Sequence, residues 1–202
     1  MMKKVILLTL FMAALFAFPT TARAATYYVD CTGNDTNAGT SAATAWKTLD
    51  KVHTRSFTPG DTVRFKGGCT WDGETNGTQD GFVIDDAGTA TNPITFTSYE
   101  DGVKPIFINS WENYPETNPS ASDEIGHAIK VRAPYVVIDN VSILRSTANP
   151  AADYAGINLN SSSHHVTVRN SEIAHTGIGI RIKRPFNNIT RNYIYDLHLV
   201  RS

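Results

Sequence analysis

The chain has no charge excess of one sign, only two cysteines and, after its first residues, no long hydrophobic run. Its 18 basic and 19 acidic residues nearly cancel, which argues against a general surface for nucleic acid or an anionic membrane. No group of cysteines and histidines has the spacing of zinc ligands, and the leucine-rich repeat signature is absent. These absences leave one domain of about 178 residues after residue 24.

The first 24 residues have the three parts of a secretory signal peptide. Lys3 and Lys4 precede an apolar run at residues 5–18, and the tripeptide Ala22-Arg23-Ala24 offers a small-x-small cleavage site. The run is shorter than the roughly 20 residues of a membrane-spanning helix. We therefore predict export to the periplasm or the extracellular space, cleavage near Ala24 and no membrane association afterwards. An uncleaved N-terminal anchor is the alternative.

A pattern of short strands occurs three times between Gly126 and Tyr195. Each copy has two apolar residues separated by one polar residue, then an apolar residue, then another five residues later. The copies are Ile129, Val131, Ile138 and Ile143; Ile157, Leu159, Val168 and Ile173; and Ile180, Ile182, Ile189 and Ile194. Alternation of this kind sends apolar side chains to one face of a strand. Its recurrence every 20–30 residues is typical of a solenoid, here a parallel β-helix.

Two further features of the repeat region lead to predictions. Asn140 and Asn170 share a column at a bend, where Asn tolerates left-handed geometry and can bond its neighbour, whereas Arg191 takes that place in the third copy. The chain stops at Ser202 without a polar cap, so we expect it to be the N-terminal portion of a longer protein. A short protein capped by a partner or by its own dimer is the alternative.

The residues before the repeats read as a terminal cap followed by less regular coils. We predict a strand at residues 26–29, an amphipathic helix at residues 44–52 with Trp46 and Leu49 on its apolar face, and strands at 62–65, 82–84, 94–96 and 105–108. The predicted organisation is therefore a signal peptide at 1–24, a cap and irregular coils at 25–125, and regular coils at 126–202.

An ordered series of short motifs resembles the N-terminal part of secreted right-handed parallel β-helix proteins of the pectate-lyase-like superfamily. The series comprises the strand Thr26-Tyr27-Tyr28-Val29-Asp30, the loop Gly33-Asn34-Asp35, Trp46-Lys47-Thr48-Leu49, Pro59-Gly60-Asp61-Thr62-Val63-Arg64-Phe65 and Asn92-Pro93-Ile94-Thr95-Phe96. The resemblance implies an all-β, right-handed parallel β-helix with a short N-terminal capping α-helix. Lyases, hydrolases, epimerases and non-catalytic adhesins share this scaffold, and in such enzymes catalytic and calcium-binding residues often lie in later coils.

The two cysteines, Cys31 and Cys69, each lie in a loop-like stretch beside glycine. Export would place them in a compartment where disulfides persist, so we predict a Cys31–Cys69 bridge. Two reduced thiols that never meet are the alternative.

Polar residues of the first strand in each copy form two outward columns. One column is Lys130, Asn158 and Arg181, and its neighbour is Arg132, Asn160 and Lys183. Four of these six residues are basic, and stacked cations and amides suit an extended anionic polysaccharide. We predict these columns as the substrate-binding strip. A solvated face whose charges merely block edge pairing is the alternative.

A lyase acting on such a polymer must neutralise the uronate carboxylate and remove the adjacent proton with a base. Residue type and column make Lys183 the candidate base, with Arg181 and Arg132 as carboxylate binders. An ordinary surface lysine is the alternative. Calcium stays open as a cofactor, although no cluster of carboxylates has the six to eight oxygens it prefers, and no metal-binding residue is assigned.

The sequence thus predicts the N-terminal part of a secreted polysaccharide lyase that cleaves an acidic polysaccharide by β-elimination and is a monomer at full length. A non-catalytic glycan-binding or adhesin-like β-helix is the alternative for this segment. A glycoside hydrolase is the third, although Asp85 and Asp86, adjacent in sequence, do not establish the separation of a glycosidase acid pair.

Overall fold

A computed structural model describes residues 23–73, 81–100, 102–109, 126–144 and 155–197. Among them the strands are β1 Thr26–Val29, β2 Thr62–Lys66, β3 Thr70–Asp72, β4 Phe82–Ile84, β5 Ile94–Tyr99, β6 Ile106–Ile108, β7 Ile129–Val131, β8 Val136–Asp139, β9 Ser142–Leu144, β10 Ala155–Leu159, β11 Thr167–Arg169, β12 Glu172–Ala174, β13 Ile178–Ile182, β14 Asn188–Thr190 and β15 Tyr193–Tyr195. A 3₁₀ turn at Ala42–Thr44 and one helix, α1 at Leu49–His53, precede β2. No helix in these ranges combines the length and the hydropathy of a membrane span.

All strand pairs are parallel, and the strands form three sheets. The first sheet has the order β1-β2-β5-β8-β11-β14, the second β3-β6-β9-β12-β15 and the third β4-β7-β10-β13. The chain visits the third, first and second sheets in turn, so β7, β8 and β9 form one coil and β10, β11 and β12 form the next. This arrangement is a parallel β-helix, which confirms the predicted fold class.

The predicted columns are the observed register. Ile157 pairs with Ile129 on one side and with Ile180 on the other. In the first sheet Val168 likewise lies between Ile138 and Ile189. The inward residues of successive coils therefore stack on one another, and burying each such aliphatic side chain contributes about 1.5–3 kcal/mol.

The core changes character along the helix axis. The first coils are filled by rings, with Phe65 in edge contact with Trp71, Phe82 and Phe107 at centroid distances of 5.0–5.7 Å. The later coils are filled by aliphatic residues such as Ile157, which is fully buried. The aromatic end is the end that the cap covers.

The turn between the first and second sheets carries the predicted asparagine column. Asn140, Asn170 and Arg191 all have positive φ, between 52° and 55°. Asn140 donates to Ser98 of the preceding coil, but Asn170 donates to Asp139 rather than to Asn140. The left-handed turn therefore repeats in all three coils, whereas the expected Asn-to-Asn bond does not form.

In the third copy a different asparagine bonds to the coil below. Asn192 accepts the N–H of Ser171 at 2.9 Å and donates to the carbonyl of Val168 at 2.9 Å. Arg191 keeps the left-handed backbone conformation while Asn192 satisfies backbone groups of the turn beneath it. The sequence offset at this position thus moves the hydrogen bonds by one residue without changing the turn.

The predicted helix at residues 44–52 begins too early. Trp46 is extended and forms a β-bridge with Val29. Its N–H donates to the carbonyl of Tyr28, and its carbonyl accepts the N–H of Asp30. The helix starts only after Thr48, whose hydroxyl accepts the N–H of Lys51 as an N-cap. Trp46 and Leu49 are both buried as expected, but they belong to a bridge and a helix rather than to one helical face.

Asp35 fixes the start of this helix from a neighbouring loop. Its carboxylate accepts the N–H groups of Lys47 and Thr48 at 2.7 and 3.0 Å and the hydroxyl of Thr48 at 2.8 Å. Burial alone would raise the pKa of Asp35, but these hydrogen bonds and the Lys51 charge outweigh burial and lower it.

A second set of polar contacts joins β1 to β2 beside the cysteines. Lys66 donates to Asp30 at 2.9 Å, and Thr32 donates to the same carboxylate through both its N–H and its hydroxyl. Burial opposes ionisation of Asp30, yet the bonds from Lys66 and Thr32 more than offset it and lower its pKa. Next to it Cys31 and Cys69 form a disulfide, with a Cα–Cα distance of 5.7 Å.

The predicted division of the chain at residue 125 stays a prediction. Strands on either side of it pair directly, since β4 pairs with β7 and β5 with β8. The predicted signal peptide up to residue 22 lies outside the described residues.

Removing the disulfide should destabilise the chain markedly. The two cysteines are 38 residues apart, and closing a loop of that length restricts the unfolded chain by about 4 kcal/mol. Urea unfolding of a variant carrying Cys31→Ser and Cys69→Ser should show this loss relative to the oxidised parent. An unchanged urea midpoint after complete reduction of the parent would contradict the expectation.

Acid should weaken the cap through Asp30 and Asp35. Because the pKa values of both carboxyl groups in the folded state lie below their ordinary value of 3.8, their contribution is present above about pH 4 and is lost as pH falls through the folded values. Asp35→Asn should cost about 1 kcal/mol at pH 7 and lessen the loss of stability below pH 4, measured by urea unfolding. The control is Asp196→Asn, which changes an exposed carboxylate just after β15, far from the cap along the β-helix. This variant should keep the parental pH dependence.

Candidate functional site

The outward side of the third sheet holds all six predicted binding residues, in the predicted columns. Lys130 pairs with Asn158, and Asn158 pairs with Arg181. In the coil of β4, β5 and β6, Val83 pairs with Lys130 and so extends this first column. The second column continues the hydrogen-bond ladder past the strand ends and consists of Asp85, Arg132, Asn160 and Lys183.

The first column is not the open strip that alternation predicted. Lys130 is 2% exposed and Asn158 is fully buried, so both face outward from the coil yet are covered. Burying an ammonium or amide is costly without compensating interactions, and each of the two residues takes part in at least one hydrogen bond, ring contact or electrostatic interaction. The expectation of a solvent-facing strip is wrong for these two residues, and their role in substrate binding stays a prediction. Arg181, at the end of the column, is partly exposed.

The second column is the accessible one. Arg132 is exposed and Asn160 and Lys183 are partly exposed. Arg132 lies 3.7 Å from Asp85 through its Nε, and the two side chains are 41% and 48% exposed. At such exposure the pair contributes at most about 1 kcal/mol, but it compensates one of the two cations in this column. The column therefore carries one acid, two bases and one amide.

The ladder places these four residues at regular steps. The N–H of Arg132 donates to Ile84, that of Asn160 to Val131 and that of Lys183 to Leu159, at 2.8–3.0 Å. Parallel neighbours are about 4.8 Å apart, so the column spans about 14 Å along the helix axis. Polar groups at this pitch can contact successive units of an extended polymer.

The turn after the third sheet adds an aromatic column that the sequence reading missed. Tyr135 stacks on His165 at 4.9 Å between centroids, and His165 stacks on Phe186 at 5.6 Å. All three have positive φ, and each lies three residues before the apolar residue of the first sheet. That common offset was the available signal. The rings cover one another's faces within the column, but Phe186 at its end is 74% exposed.

A cleft of about 250 Å³ opens between the segment after α1 and the start of the third sheet. Its wall includes His53, Phe57, Val83 and Asp85, so it meets both columns at their first position. It therefore extends the accessible second column towards the cap.

The acidic residues near this cleft have separate tasks. Asp85 pairs with Arg132, whereas Asp86 accepts the N–H of Phe57 at 2.8 Å. Farther along, Asp139 is held by Arg169 at 2.9 Å on the first sheet. Asp85 and Asp86 thus have different partners and do not form a shared acid–base pair.

Two tyrosines have pKa values above the ordinary range. A hydrogen bond to Glu172 at 2.6 Å is the main cause for Tyr195, and burial is the main cause for Tyr99, whose pKa rises to about 12. Both shifts keep the phenol protonated at neutral pH. Neither group is therefore prepared to act as a base in the way that a lyase requires.

One cluster of candidate metal ligands occurs in the described part of the chain, and it consists of Asp30, Cys31 and Cys69. The two sulfurs are bonded to each other, so they are not thiolates and cannot act as soft ligands. Asp30 is already occupied by Lys66 and Thr32. The prediction that calcium could serve as a cofactor stays untested.

Comparison with known proteins identifies relatives of the fold. No family profile matches the chain. Over 96 residues it is 35% identical to the Lacto-N-biosidase of Bifidobacterium longum subsp. longum, a match that covers 45% of this chain and 6% of that protein. The crystal structure of the native GH136 lacto-N-biosidase from Eubacterium ramulus has a TM-score of 0.54 and 18% identity, and covers 86% of this chain and 27% of that one.

A solved rhamnogalacturonan lyase has a TM-score of 0.50 and 17% identity, over 74% of this chain and 40% of that one. The chain thus spans less than half the length of each of these proteins. At such identities the structural similarity shows a shared fold alone. The chain is a parallel β-helix similar to a lacto-N-biosidase and to a rhamnogalacturonan lyase.

Proposed function

We propose that this chain forms the cap and first coils of an exported, carbohydrate-active parallel β-helix that holds a glycan along the second column of the third sheet. The observation that carries the proposal is the accessible ladder of Asp85, Arg132, Asn160 and Lys183. Mixed carboxylate, amide and cationic groups are donors and acceptors for sugar hydroxyls. The adjoining cleft would receive the end of the glycan nearest the cap.

The charge balance of the column favours a glycan with few carboxylates. Arg132 is compensated by Asp85 in this column, and Lys130 of the neighbouring first column is buried, so the accessible surface is less cationic than the sequence alone suggested. The relative with the local sequence match is named a lacto-N-biosidase. Together these observations support glycoside hydrolysis as the reaction of the whole protein, in preference to β-elimination.

The uronate lyase remains the second candidate, because Arg181 and Lys183 place two cations at the far end of the third sheet. A solved rhamnogalacturonan lyase shares the fold. In this version Arg181 binds the uronate carboxylate and Lys183 removes the proton. Both candidates require the second column to contact the glycan, which makes contact the property to test before chemistry.

Replacing Lys183 by Ala should weaken glycan binding about tenfold or more, which is the effect of losing one charge-assisted hydrogen bond. Glycans selected on an array would be titrated against the parent and the variant by calorimetry. Lys47→Ala is the matched control, because Lys47 is exposed on the cap and outside the column. Equal losses in the two variants, or no loss in Lys183→Ala, would contradict binding along this column.

The reaction class follows from the products of the full-length protein. Hydrolysis should release new reducing ends without ultraviolet absorbance, whereas β-elimination gives an unsaturated uronate that absorbs. Neutral β-linked oligosaccharides and uronate polymers would be incubated in parallel, with and without Ca²⁺. Unsaturated products would overturn hydrolysis in favour of the lyase, and binding without turnover would leave a non-catalytic glycan-binding β-helix.

A further inference from the structure

A carboxylate in the cap is buried and accepts a backbone N–H from Ala25, just ahead of β1. Asp61 is 3% exposed. One of its oxygens accepts the N–H of Ala25 at 2.8 Å, and the other accepts the N–H and the hydroxyl of Thr58 at 2.9 and 3.2 Å. The carboxylate thus joins the first residues to the turn that precedes β2.

Asp61 has hydrogen bonds but no cation. Within the ranges that the structure describes, no Lys, Arg or His forms an ion pair with it. A buried carboxylate is costly unless it is both hydrogen-bonded and paired with a positive charge. Ala25 is the group whose charge can change at this position, because its nitrogen is already at contact distance.

Ala25 is held in place independently of this bond. Its carbonyl accepts the N–H of Thr62 at 2.8 Å, which continues the β1–β2 ladder, and its side chain packs against the core. Ala24, by contrast, is exposed. The bond between Ala24 and Ala25 is also the cleavage position that the tripeptide Ala22-Arg23-Ala24 predicts.

We propose that cleavage of the Ala24–Ala25 bond creates an α-ammonium group on Ala25 that forms an ion pair with buried Asp61 and so secures the first strand of the mature β-helix. In this hydrolysis the oxygen of water joins the carbonyl carbon of Ala24, which leaves as a carboxylate. The nitrogen of Ala25 takes up protons and becomes cationic near neutral pH, since α-amino groups ordinarily have a pKa of about 7.7–8.0.

In this proposal, removal of the signal peptide changes the stability of the cap as well as permitting export. In the uncleaved chain the donor is a neutral amide, so Asp61 keeps its hydrogen bond but lacks a compensating charge. After cleavage the same atom carries the charge without moving. The proposal does not depend on the glycan or on the reaction, so its failure would leave the proposed function intact.

The first measurement is the N-terminal residue of the exported protein, read by mass spectrometry. Ala25 is expected, and a mature chain that starts elsewhere would overturn the proposal. The second compares chains that start at Ala25 and at Ala24, each released from a cleavable fusion without extra residues. The one-residue extension should lower the melting temperature by about 3–6 °C for a chain of this size.

The same extension in an Asp61→Asn background isolates the pair. There the two chain lengths should melt together, whereas in the matched control Asp50→Asn the extension should cost as much as in the parent. Asp50 is an exposed carboxylate in the first turn of α1 and serves as a generic acidic residue. An equal cost of extension in Asp61→Asn and in the parent would mean that the amino group does not contact Asp61.

A chemical readout covers the case in which Asp61→Asn fails to fold. The α-amino group of the chain that starts at Ala25 would be acylated at neutral pH in the folded state and in urea, and the modified peptide quantified. A paired, half-buried ammonium should react at least about tenfold more slowly when folded. Equal rates in the two states would overturn the ion pair.

Discussion

The stacking of equivalent apolar residues in successive coils is the interaction on which the rest of this structure depends. Each coil is too small to bury its own inward side chains, so Ile157 is buried only because Ile129 and Ile180 lie above and below it. The parallel ladder that fixes this stacking also fixes the spacing of the outward residues. A polar residue next to an inward one is therefore placed to within a strand spacing of its counterparts, which is how the second column of the third sheet becomes a regular surface.

The sequence predicts the register of the three repeated coils, but neither its continuation to β4 nor the solvent exposure of every residue in the columns. Alternation with a period of two predicts the face of the strand to which each side chain points. The observed register places all six binding candidates in the predicted columns. Alternation does not state what lies over the strand, so the burial of Lys130 and Asn158 could not be read from it. The helix boundary failed for a related reason. Trp46 fits helical spacing with Leu49, but pairing with Val29 and the contacts of Asp35 decide its conformation, and both partners are distant in sequence.

The candidate site shows why fold and function separate in this architecture. Lyases and glycosidases place different chemistry on the same stacked coils, so the discriminating information lies in the identities within one column. One acidic residue changes the charge character of the second column. With Asp85 at 3.7 Å, Arg132 is part of a mixed polar surface rather than of a purely cationic one. Asp85 belongs to a coil outside the threefold repeat, and only the register between β4 and β7 connects it to Arg132.

The first coil differs from the later ones, because among the described residues the outer edge of β1 meets only the bridge from Trp46 and no full strand. Later turns satisfy their backbone groups with side chains of a neighbouring coil, as Asn192 does for Ser171. The cap instead relies on buried or half-buried carboxylates that accept backbone N–H groups over sequence separations of 12 to 36 residues, together with one disulfide. Carboxylates suit this task because each accepts several hydrogen bonds and draws charge-assisted strength from them. Their cost is the buried negative charge, which Lys66 compensates at Asp30. At Asp61 the position that corresponds to Lys66 is taken by the backbone nitrogen of Ala25 at 2.8 Å, and under the proposed cleavage that nitrogen would supply the compensating charge.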